Sequence, residues 1–239
     1  MKELKPLIIA HWGFSGLYYE NSLKAFEEAV NVGADYIEFD VNRTKDGEII
    51  VVHDYSIRGK YFKDMTFKEV EEISLENNCR IPSLYEVMEK FSGRIKFYIE
   101  IKDRKIVDPL LKIVEDYPDD DTVIASFDHY ALRKIKERNP RIKTSALFGD
   151  VIIDPVPTLS ALDANFFHPC WEERSPEPYE LIDEEFVAYL NHLGFGTISW
   201  AEDRPEVIEK LIEKGFNLIS TNRPDLVYQI RRHKAKSTP

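Results

Sequence analysis

The chain has 239 residues, 43% of them hydrophobic, and a formal net charge of −11. This length allows one large domain or two small ones, and α/β barrels often use it for one. The acidic balance argues against nucleic acid and anionic membranes as main partners, because both favour a basic protein face. It leaves an anionic small molecule open as a substrate, since a local cation can reverse the potential inside a pocket.

The cysteines and the hydropathy of the chain indicate the cellular compartment in which the protein is expected. The two cysteines, Cys79 and Cys170, lack the spacing of a metal site, which is typical of reduced thiols rather than of a disulfide. The N-terminal apolar run is too short for a signal peptide, and no later segment reaches the length of a membrane span. We therefore expect a cytoplasmic protein without a transmembrane segment.

The chain opens with a short apolar strand and a helix. Residues 7–11 form the predicted strand, which ends in His11. Ser22 or Asn21 can cap the helix predicted over residues 23–32. His11 is thus the first polar side chain at the end of a predicted strand.

The next strand carries two acids on one face. Residues 36–41, with the sequence YIEFDV, alternate between two faces, so Glu38 and Asp40 point one way and three apolar side chains the other. Two neighbouring carboxylates in a strand otherwise fit for burial repel each other. They need a cation or a proton between them.

A predicted turn brings a histidine back to these acids. Asp46 and Gly47 both tolerate positive φ and favour a two-residue hairpin turn. If this turn closes a hairpin, the numbers of opposed residues add up to 93, and His53 lies opposite Asp40 on the same face. The alternative is a surface hairpin with ordinary polar residues.

Strands and helices alternate through the remainder of the chain. Residues 55–80 are predicted to be a short polar insertion with one helix, whose start at Thr66 and Glu69 has the pattern of a capping box. The later strands are predicted at 97–101, 123–127, 143–148, 164–168, 195–200 and 217–221, and the helices at 66–75, 83–91, 106–117, 129–138, 158–163, 183–193, 205–214 and 224–232.

Eight alternating units favour one α/β architecture. With the strands at residues 7 and 36 the count is eight, if residues 49–53 are a hairpin return. The pattern favours a (β/α)8 TIM barrel over a doubly wound sheet, with a hairpin after the second strand and a short insertion. We expect a single domain over residues 1–239, with a frayed tail at 233–239.

A barrel of this kind is expected to carry its functional residues at the carboxyl ends of the strands. Glu100 and Lys102 share a face there, and a core-facing acid in an apolar strand is costly unless it is paired. Lys102 is either a plain ion-pair partner of Glu100, or Glu100 is a third carboxylate that converges with Glu38 and Asp40. Three carboxylates without zinc-type cysteine or histidine spacing favour a hard divalent cation, Mg²⁺ or Ca²⁺.

Such a site suits the cleavage of a phosphodiester. Carboxylate-bound Mg²⁺ commonly acts on phosphate oxygens, and two flanking histidines supply a general base and a general acid. Lys102 adds a point charge for a phosphoryl oxygen.

The motifs of the chain resemble those of the glycerophosphodiester phosphodiesterase family. The family pattern H-R-G-x-x-x-x-x-P-E-N-T is similar to His11-Trp12-Gly13 followed by Glu20-Asn21-Ser22, and the block E-L-D-V…T-K-D-G…V-x-H-D is similar to residues 38–41, 44–47 and 53–54. The patterns I-P-T-L-x-E-V and I-E-I-K are similar to residues 81–87 and 99–102. The late patterns W-T-V-N and I-I-T-D-x-P match only loosely, around Trp200 and at residues 219–224.

This resemblance covers nearly the whole chain and has specific implications. It implies a TIM barrel with metal ligands at Glu38, Asp40 and Glu100, and acid and base roles for His11 and His53. It also implies hydrolysis of glycerophosphodiesters to glycerol phosphate and an alcohol, with either a glycerol hydroxyl or water as the nucleophile.

Two departures from the family patterns bear on the substrate. Trp12 stands where the family has an arginine that grips the phosphate, so a charge-assisted contact of about 1.5–3 kcal/mol is missing. Its indole either offers an apolar wall or packs against the helix after Asn21. Two alternatives follow: the same chemistry on lysophospholipids or another phosphodiester, and a catalytically weak barrel that binds phosphate ligands. Asn222 stands where the second late pattern has an acid.

The remaining candidates surround this centre. Trp200 is expected to wall the pocket, and His168 either faces the substrate or is a hydrogen-bonded rim residue. Glu20, Asn21 and Asp54 are expected to support the site from behind. The expected partner is a small phosphodiester, not nucleic acid, and the acidic surface with many aromatic residues permits a homo-oligomer.

Overall fold

A cylindrical sheet surrounded by helices forms the structure, a computed structural model that describes residues 6–76 and 79–237. The strands are β1 Leu7–Ala10, β2 Tyr36–Arg43, β3 Ile49–Val51, β4 Ser56–Ile57, β5 Lys60–Tyr61, β6 Lys96–Ile101, β7 Thr122–Ser126, β8 Lys143–Phe148, β9 Phe166–Pro169, β10 Gly196–Thr197 and β11 Leu218–Thr221. The helices are α1 Leu23–Val32, α2 Phe67–Glu76, α3 Leu84–Phe91, α4 Val107–Val114, α5 His129–Arg138, α6 Val156–Leu162, α7 Glu184–His192, α8 Pro205–Glu213 and α9 Pro224–Ser237.

Eight parallel strands of the described chain form the barrel. Their order around the sheet is β10, β9, β8, β7, β6, β2, β1 and β11, and each neighbouring pair is parallel. A parallel bridge between Ile198 and Leu218 closes the ring, and the Ser199 N–H donates to the Leu218 C=O at 3.0 Å. The predicted TIM barrel is therefore confirmed, although β10 is shorter than the predicted strand at 195–200.

Alternation along the strands separates two layers of side chains. The barrel interior is filled by Ile9, Tyr36, Tyr98, Val123, Ala125, Leu147, Ile198 and Leu218. Ile37, Phe39 and Val41 of β2 belong instead to the larger core between the strands and the helices. Since side chains of β2 alternate, Glu38 and Asp40 follow Tyr36 on the inner face. The predicted separation of acids from apolar residues in this strand is correct.

The hairpin after β2 forms, but its register differs by one residue from the prediction. The numbers of opposed residues in β2 and β3 add up to 92. The loop has three residues, 45–47, because the Thr44 N–H donates to the Glu48 C=O at 2.9 Å. Inside it, the Gly47 N–H donates to the Thr44 C=O at 3.1 Å, and Gly47 adopts φ +94° in the left-handed region. The prediction that His53 lies directly opposite Asp40 is therefore wrong. β3 ends at Val51, and His53 reaches the site from the following loop.

The predicted insertion after His53 contains more structure than one helix. β4 and β5 form a small antiparallel pair, and α2 follows. The predicted capping box is present: the Thr66 N–H donates to Glu69 Oε2 at 2.7 Å, and the Glu69 N–H donates to Thr66 Oγ1 at 3.4 Å. Ile50, Phe62 and Met65 share a small core under this segment. The prediction for residues 77–78 lies outside the described residues.

The last helix corrects the prediction for the end of the chain. α9 continues to Ser237, five residues beyond the predicted end at Arg232. Residues 233–237, predicted to be part of a frayed tail, are therefore helical, and residues 238–239 lie outside the described residues. Among the helices described here, none has both the length and the apolar character needed to cross a membrane.

Candidate active site

Most of the predicted site residues line one cavity at the carboxyl ends of the barrel strands. Its volume is about 360 Å³. The lining residues are His11, Trp12, Glu38, Asp40, His53, Tyr98, Glu100, Phe127, His168, Cys170, Glu172, Glu173, Trp200, Ala201 and Ser220. These residues come from segments up to about two hundred positions apart, and closure of the barrel is what brings them together.

The three predicted metal ligands form a compact cluster. Asp40 on β2 lies beside Glu100 on β6, and Glu38 precedes Asp40 by one inward-facing position. Carboxylate oxygens of the three residues all lie within 4.8 Å of one another. Glu38 and Asp40 are only 4% and 1% exposed, so water does little to relieve their mutual repulsion.

The electrostatics of the cluster favour a positive charge or a proton between the carboxylates. Burial, reinforced by the neighbouring Asp40, raises the pKa of Glu100 to about 8. Burial and the charges of Asp40 and Glu100 also hold the pKa of Glu38 well above its usual range. Asp40 Oδ2 has no hydrogen-bond partner among the described residues although it is buried. Three oxygen donors with an unsatisfied buried lone pair fit a hard divalent cation.

Stability against pH tests this electrostatic account. We expect the metal-free protein to lose stability as the pH rises from about 5 to about 8, between the usual pKa of a glutamate and the raised value of Glu100. In that window the folded state holds a proton that the unfolded state has released, so the free energy of unfolding falls with rising pH. Thermal melts in chelator should show this fall. It should be smaller in Glu100→Gln, and added divalent cation should raise Tm most at pH 8. An equal fall in wild type and variant would contradict the account.

One of the two predictions for Lys102 is a plain ion pair with Glu100. Its Nζ lies 3.0 Å from Asp40 Oδ1 and donates to the His53 C=O at 2.9 Å. The interpretation of Lys102 as a plain ion-pair partner of Glu100 is therefore wrong. The lysine neutralises part of the charge on Asp40 and ties the loop of His53 to the end of β6.

His11 lies directly after β1 and faces the carboxylates. Its Nε2 is 3.9 Å from Glu38 Oε2, and its Nδ1 is 2.8 Å from Asn222 Oδ1. Burial lowers the pKa of His11, and the hydrogen bond with Asn222 opposes this effect. The ring therefore combines a partner on one nitrogen with an open nitrogen that faces the cavity.

Trp12 occupies the space between the two predicted acid/base histidines. Its indole stacks on His11 with 4.1 Å between ring centroids, and it lies 4.9 Å from the ring of His53. Its backbone N–H donates to Glu38 Oε2 at 2.9 Å, and its φ of +56° turns the chain at this point. Of the two predictions for Trp12, the wall of the site agrees with these contacts.

His53 is more exposed than His11 and lies where cavities meet. Its side chain is 42% exposed, and its Nδ1 lies 3.1 Å from Asp54 Oδ1. Besides the central cavity it lines two neighbouring ones, one beside Lys102 and one beside Asn21. This position gives His53 access both to a substrate and to solvent.

His168 and Trp200 form walls of the cavity that are already hydrogen-bonded. The His168 Nδ1 lies 2.7 Å from the Tyr98 hydroxyl, and burial lowers the pKa of His168 to about 3. An Nδ1 held by a hydrogen bond to a buried hydroxyl, in a ring that burial keeps neutral, describes a fixed wall rather than a proton carrier. Trp200 is 1% exposed and its Nε1 donates to Glu202 Oε2 at 3.3 Å.

The three residues predicted to support the site lie in a neighbouring cavity. Glu20, Asn21 and Asp54 line it together with His53, which is the lining residue it shares with the central cavity. Asn21 is 6% exposed, and its side-chain atoms lack hydrogen-bond partners within the described structure. Its backbone N–H donates to the Trp12 C=O at 3.0 Å, while Ser22 caps α1. Asn21 thus closes the loop that carries Trp12.

Several lining residues were not among the sequence-based candidates. Phe127, Glu172 and Glu173 line the cavity, and Asp203 stands behind Asn222. Phe127 is the last residue of one predicted strand and Asp203 lies three residues after another, so their position was a usable signal. Glu172 and Glu173 follow β9 in a segment without a recognisable pattern, and the sequence offers no comparable signal for them.

The arrangement of charged groups in the cavity is typical of one class of enzyme. A barrel with three clustered carboxylates, two imidazoles and an ammonium group at its carboxyl end is equipped to hydrolyse phosphoric esters. The sequence model of the Glycerophosphoryl diester phosphodiesterase family matches residues 11–226. A glycerophosphodiester phosphodiesterase of Caldanaerobacter subterraneus subsp. tengcongensis is 32% identical over 248 residues, which cover 96% of this chain and 99% of that protein. The chain therefore belongs to this family, as its motifs predict.

Other relatives and solved structures agree with this family assignment. A glycerophosphodiester phosphodiesterase of Bacillus altitudinis is 29% identical and covers 94% of this chain and 97% of its own length. A glycerophosphodiester phosphodiesterase from Parabacteroides distasonis superposes with a TM-score of 0.84 at 24% identity, over 98% of this chain and 99% of that one. An Oleispira antarctica phosphodiesterase, solved in complex with the product sn-glycerol-3-phosphate, has a TM-score of 0.83 at 20% identity, over 95% and 97% of the two chains. These structures confirm the barrel, and the family confirms the predicted class of phosphoric diester hydrolase.

Proposed function

We propose that the chain hydrolyses glycerophosphodiesters to glycerol phosphate and an alcohol in the central cavity. The observation that carries this proposal is the cluster of Glu38, Asp40 and Glu100 within 4.8 Å, with His11 and His53 on the walls of the same cavity. The family description and the names of the two relatives that span nearly the whole chain do not favour the two alternatives raised by Trp12, a lysophospholipid substrate and a weakly catalytic binding barrel.

A divalent cation completes this site. Glu38, Asp40 and Glu100 would hold it, because their buried oxygens repel one another and Asp40 Oδ2 lacks a partner in the described structure. When bound, Mg²⁺ or Ca²⁺ supplies positive charge that polarises the phosphoryl oxygens and stabilises charge that develops on them. The Lys102 ammonium group adds a second positive charge beside the cluster.

The histidines divide the proton transfers between them. The open Nε2 of His11 faces the carboxylate cluster and accepts the proton of the nucleophile. Water as nucleophile gives glycerol phosphate directly, whereas the glycerol hydroxyl gives a cyclic phosphate that a water molecule then opens. His53 lies across the indole of Trp12, in contact with solvent, and donates a proton to the departing alcohol. Trp12 lies between the two rings and contacts both. Cytoplasmic location and homo-oligomer formation stay predictions from the sequence.

Release of glycerol phosphate tests the proposal. Glycerophosphocholine and glycerophosphoethanolamine are supplied with Mg²⁺, with Ca²⁺ and with chelator, beside the Glu38→Ala variant. We expect turnover that needs a divalent cation and disappears in the variant. Folded protein without turnover on either substrate in any metal would contradict the proposal. Turnover of lysophospholipid alone would select the first alternative, and glycerol phosphate binding without turnover the second.

A further inference from the structure

Asp203 and Asn222 form a hydrogen-bonded pair behind His11 for which neither the motifs nor the proposed proton transfers give a role. Asn222 Oδ1 lies 2.8 Å from His11 Nδ1, and Asn222 Nδ2 donates to Asp203 Oδ2 at 2.9 Å. The pair joins the segments that follow β10 and β11, at the carboxyl end of the barrel. It therefore stands on the side of the imidazole that faces away from the carboxylate cluster.

We propose that Asp203 is a positioning residue that acts through Asn222 and fixes the tautomer of His11 with its proton on Nδ1. Nε2 is then the acceptor that faces the cavity. The tautomer itself is independent of the proposed function, and only its catalytic consequence rests on that function.

Asp203 sets the direction of the Asn222 side chain, and the Ser15 hydroxyl, which donates to Asn222 Oδ1 at 2.9 Å, supports the same direction. Three donors converge on the Asp203 carboxylate: the Thr221 hydroxyl at 2.7 Å and the Asn222 N–H at 2.8 Å on Oδ1, and the Asn222 side-chain NH2 on Oδ2. A carboxylate accepts hydrogen bonds and has none to donate. The NH2 of Asn222 must therefore face Asp203, and the amide oxygen must face His11.

The direction of Asn222 then sets the tautomer of His11. An amide oxygen only accepts, so the Nδ1 that lies 2.8 Å from it carries the hydrogen, and in the neutral ring Nε2 carries none. Stacking with Trp12, at 29° between the ring planes, holds the ring in this orientation. If the amide were reversed, its NH2 would face Nδ1, the proton would move to Nε2, and His11 could no longer accept a proton in the cavity.

Comparison with the two late family patterns suggests a double variant that tests the inference. Where the family patterns W-T-V-N and I-I-T-D-x-P have an amide and an acid, this chain has Asp203 and Asn222, so the two side chains have exchanged places. In the double variant Asp203→Asn/Asn222→Asp, the amide at 203 would donate to the acid at 222, which would accept from His11 Nδ1. Every hydrogen bond of the network would be kept with one direction reversed.

Two single variants distinguish an effect on the orientation of the Asn222 amide from an effect on packing alone. Asp203→Asn keeps the shape of the side chain, but its NH2 opposes that of Asn222 and forces the Asn222 amide to rotate. We expect the His11 tautomer to switch to Nε2–H and kcat to fall roughly 10- to 100-fold with KM unchanged, because a general base contributes about 10²–10⁴-fold. Asn222→Asp keeps an acceptor on His11 and should retain the wild-type tautomer.

The experiment reads the tautomer directly. Nitrogen-15 NMR of the imidazoles in Mg²⁺-supplied protein distinguishes the two forms, with His11→Gln to assign the signal and Asp150→Asn, an exposed acid, as matched control. We expect Nδ1–H in wild type, Nε2–H in Asp203→Asn, and recovery of both Nδ1–H and kcat in the double variant. Nε2–H in wild type, an unchanged tautomer in Asp203→Asn, or no recovery in the double variant would overturn the inference. If wild type turns over no glycerophosphodiester, the proposed function fails while the NMR result still decides the tautomer.

Discussion

Replacing Asp40 by asparagine is expected to lower kcat/KM by at least about 10³-fold, with a matching loss of divalent-cation binding. Asp40 is 1% exposed, lies in the centre of the carboxylate cluster and carries a buried oxygen without a partner in the described structure. Asparagine keeps the shape but removes the negative charge that a hard cation requires. The loss of several kcal/mol of charge stabilisation corresponds to this factor, since about 1.4 kcal/mol is tenfold in rate.

Steady-state kinetics and calorimetric titration with Mg²⁺ and Ca²⁺ measure the two effects of this substitution. Glu137→Gln is the matched control, because Glu137 is an exposed acid on α5 that pairs only with Arg133 one helical turn away among the contacts described. It should keep both turnover and cation affinity. Thermal melts of both variants establish that the barrel is folded. Normal cation binding by folded Asp40→Asn would remove Asp40 from the set of ligands.

The barrel and the carboxylate cluster were predictable because both depend on local periodicity. Alternation in the β2 segment places Glu38 and Asp40 on one face whatever the rest of the chain does. The order of strands and helices then places Glu100 on the neighbouring β6, where parallel pairing puts it beside Asp40. Each step follows from residues close in sequence or from a general rule of barrel topology.

The position of His53 shows where such local argument fails. The dipeptide Asp46-Gly47 is compatible with both a two-residue and a three-residue loop, and one additional residue shifts every cross-strand partner. The chain uses the longer loop, in which the Lys45 N–H donates to the Met65 C=O of the insertion at 2.7 Å. His53 still reaches the cavity, through the loop after β3 rather than through the ladder.

The contacts of Lys102 and Asn222 could not be predicted from sequence patterns, for a different reason. They join groups on separate loops, and their partners depend on distances of a few tenths of an ångström. Lys102 had two acids of one cluster within reach of its flexible side chain, and the structure pairs it with Asp40. Asp203 and Asn222 meet only because strands β10 and β11 close the barrel side by side.

Substituting the two histidines separately is expected to give different losses that depend on the leaving group. With glycerophosphocholine, His11→Gln and His53→Gln should each lower kcat by about 10²–10⁴-fold, the usual worth of a general base or acid. A diester of glycerol phosphate with 4-nitrophenol changes the comparison, because nitrophenolate departs without being protonated. His53→Gln should then recover most of its rate, whereas His11→Gln should not, since the attacking hydroxyl still needs a base.

The difference between the two substrates tests whether His11 is the general base and His53 the general acid. The side chain of His11 is 24% exposed and lies beside the carboxylates with Nε2 open, whereas that of His53 is 42% exposed at the junction of three cavities. His192→Gln, an exposed position at the end of α7, controls for the loss of a surface imidazole and should leave both substrates unaffected. Recovery of His11→Gln instead of His53→Gln on the nitrophenyl ester would reverse the two roles. The Nδ1–H tautomer would stand in that case, because an imidazolium that donates its Nε2 proton into the cavity keeps the proton on Nδ1.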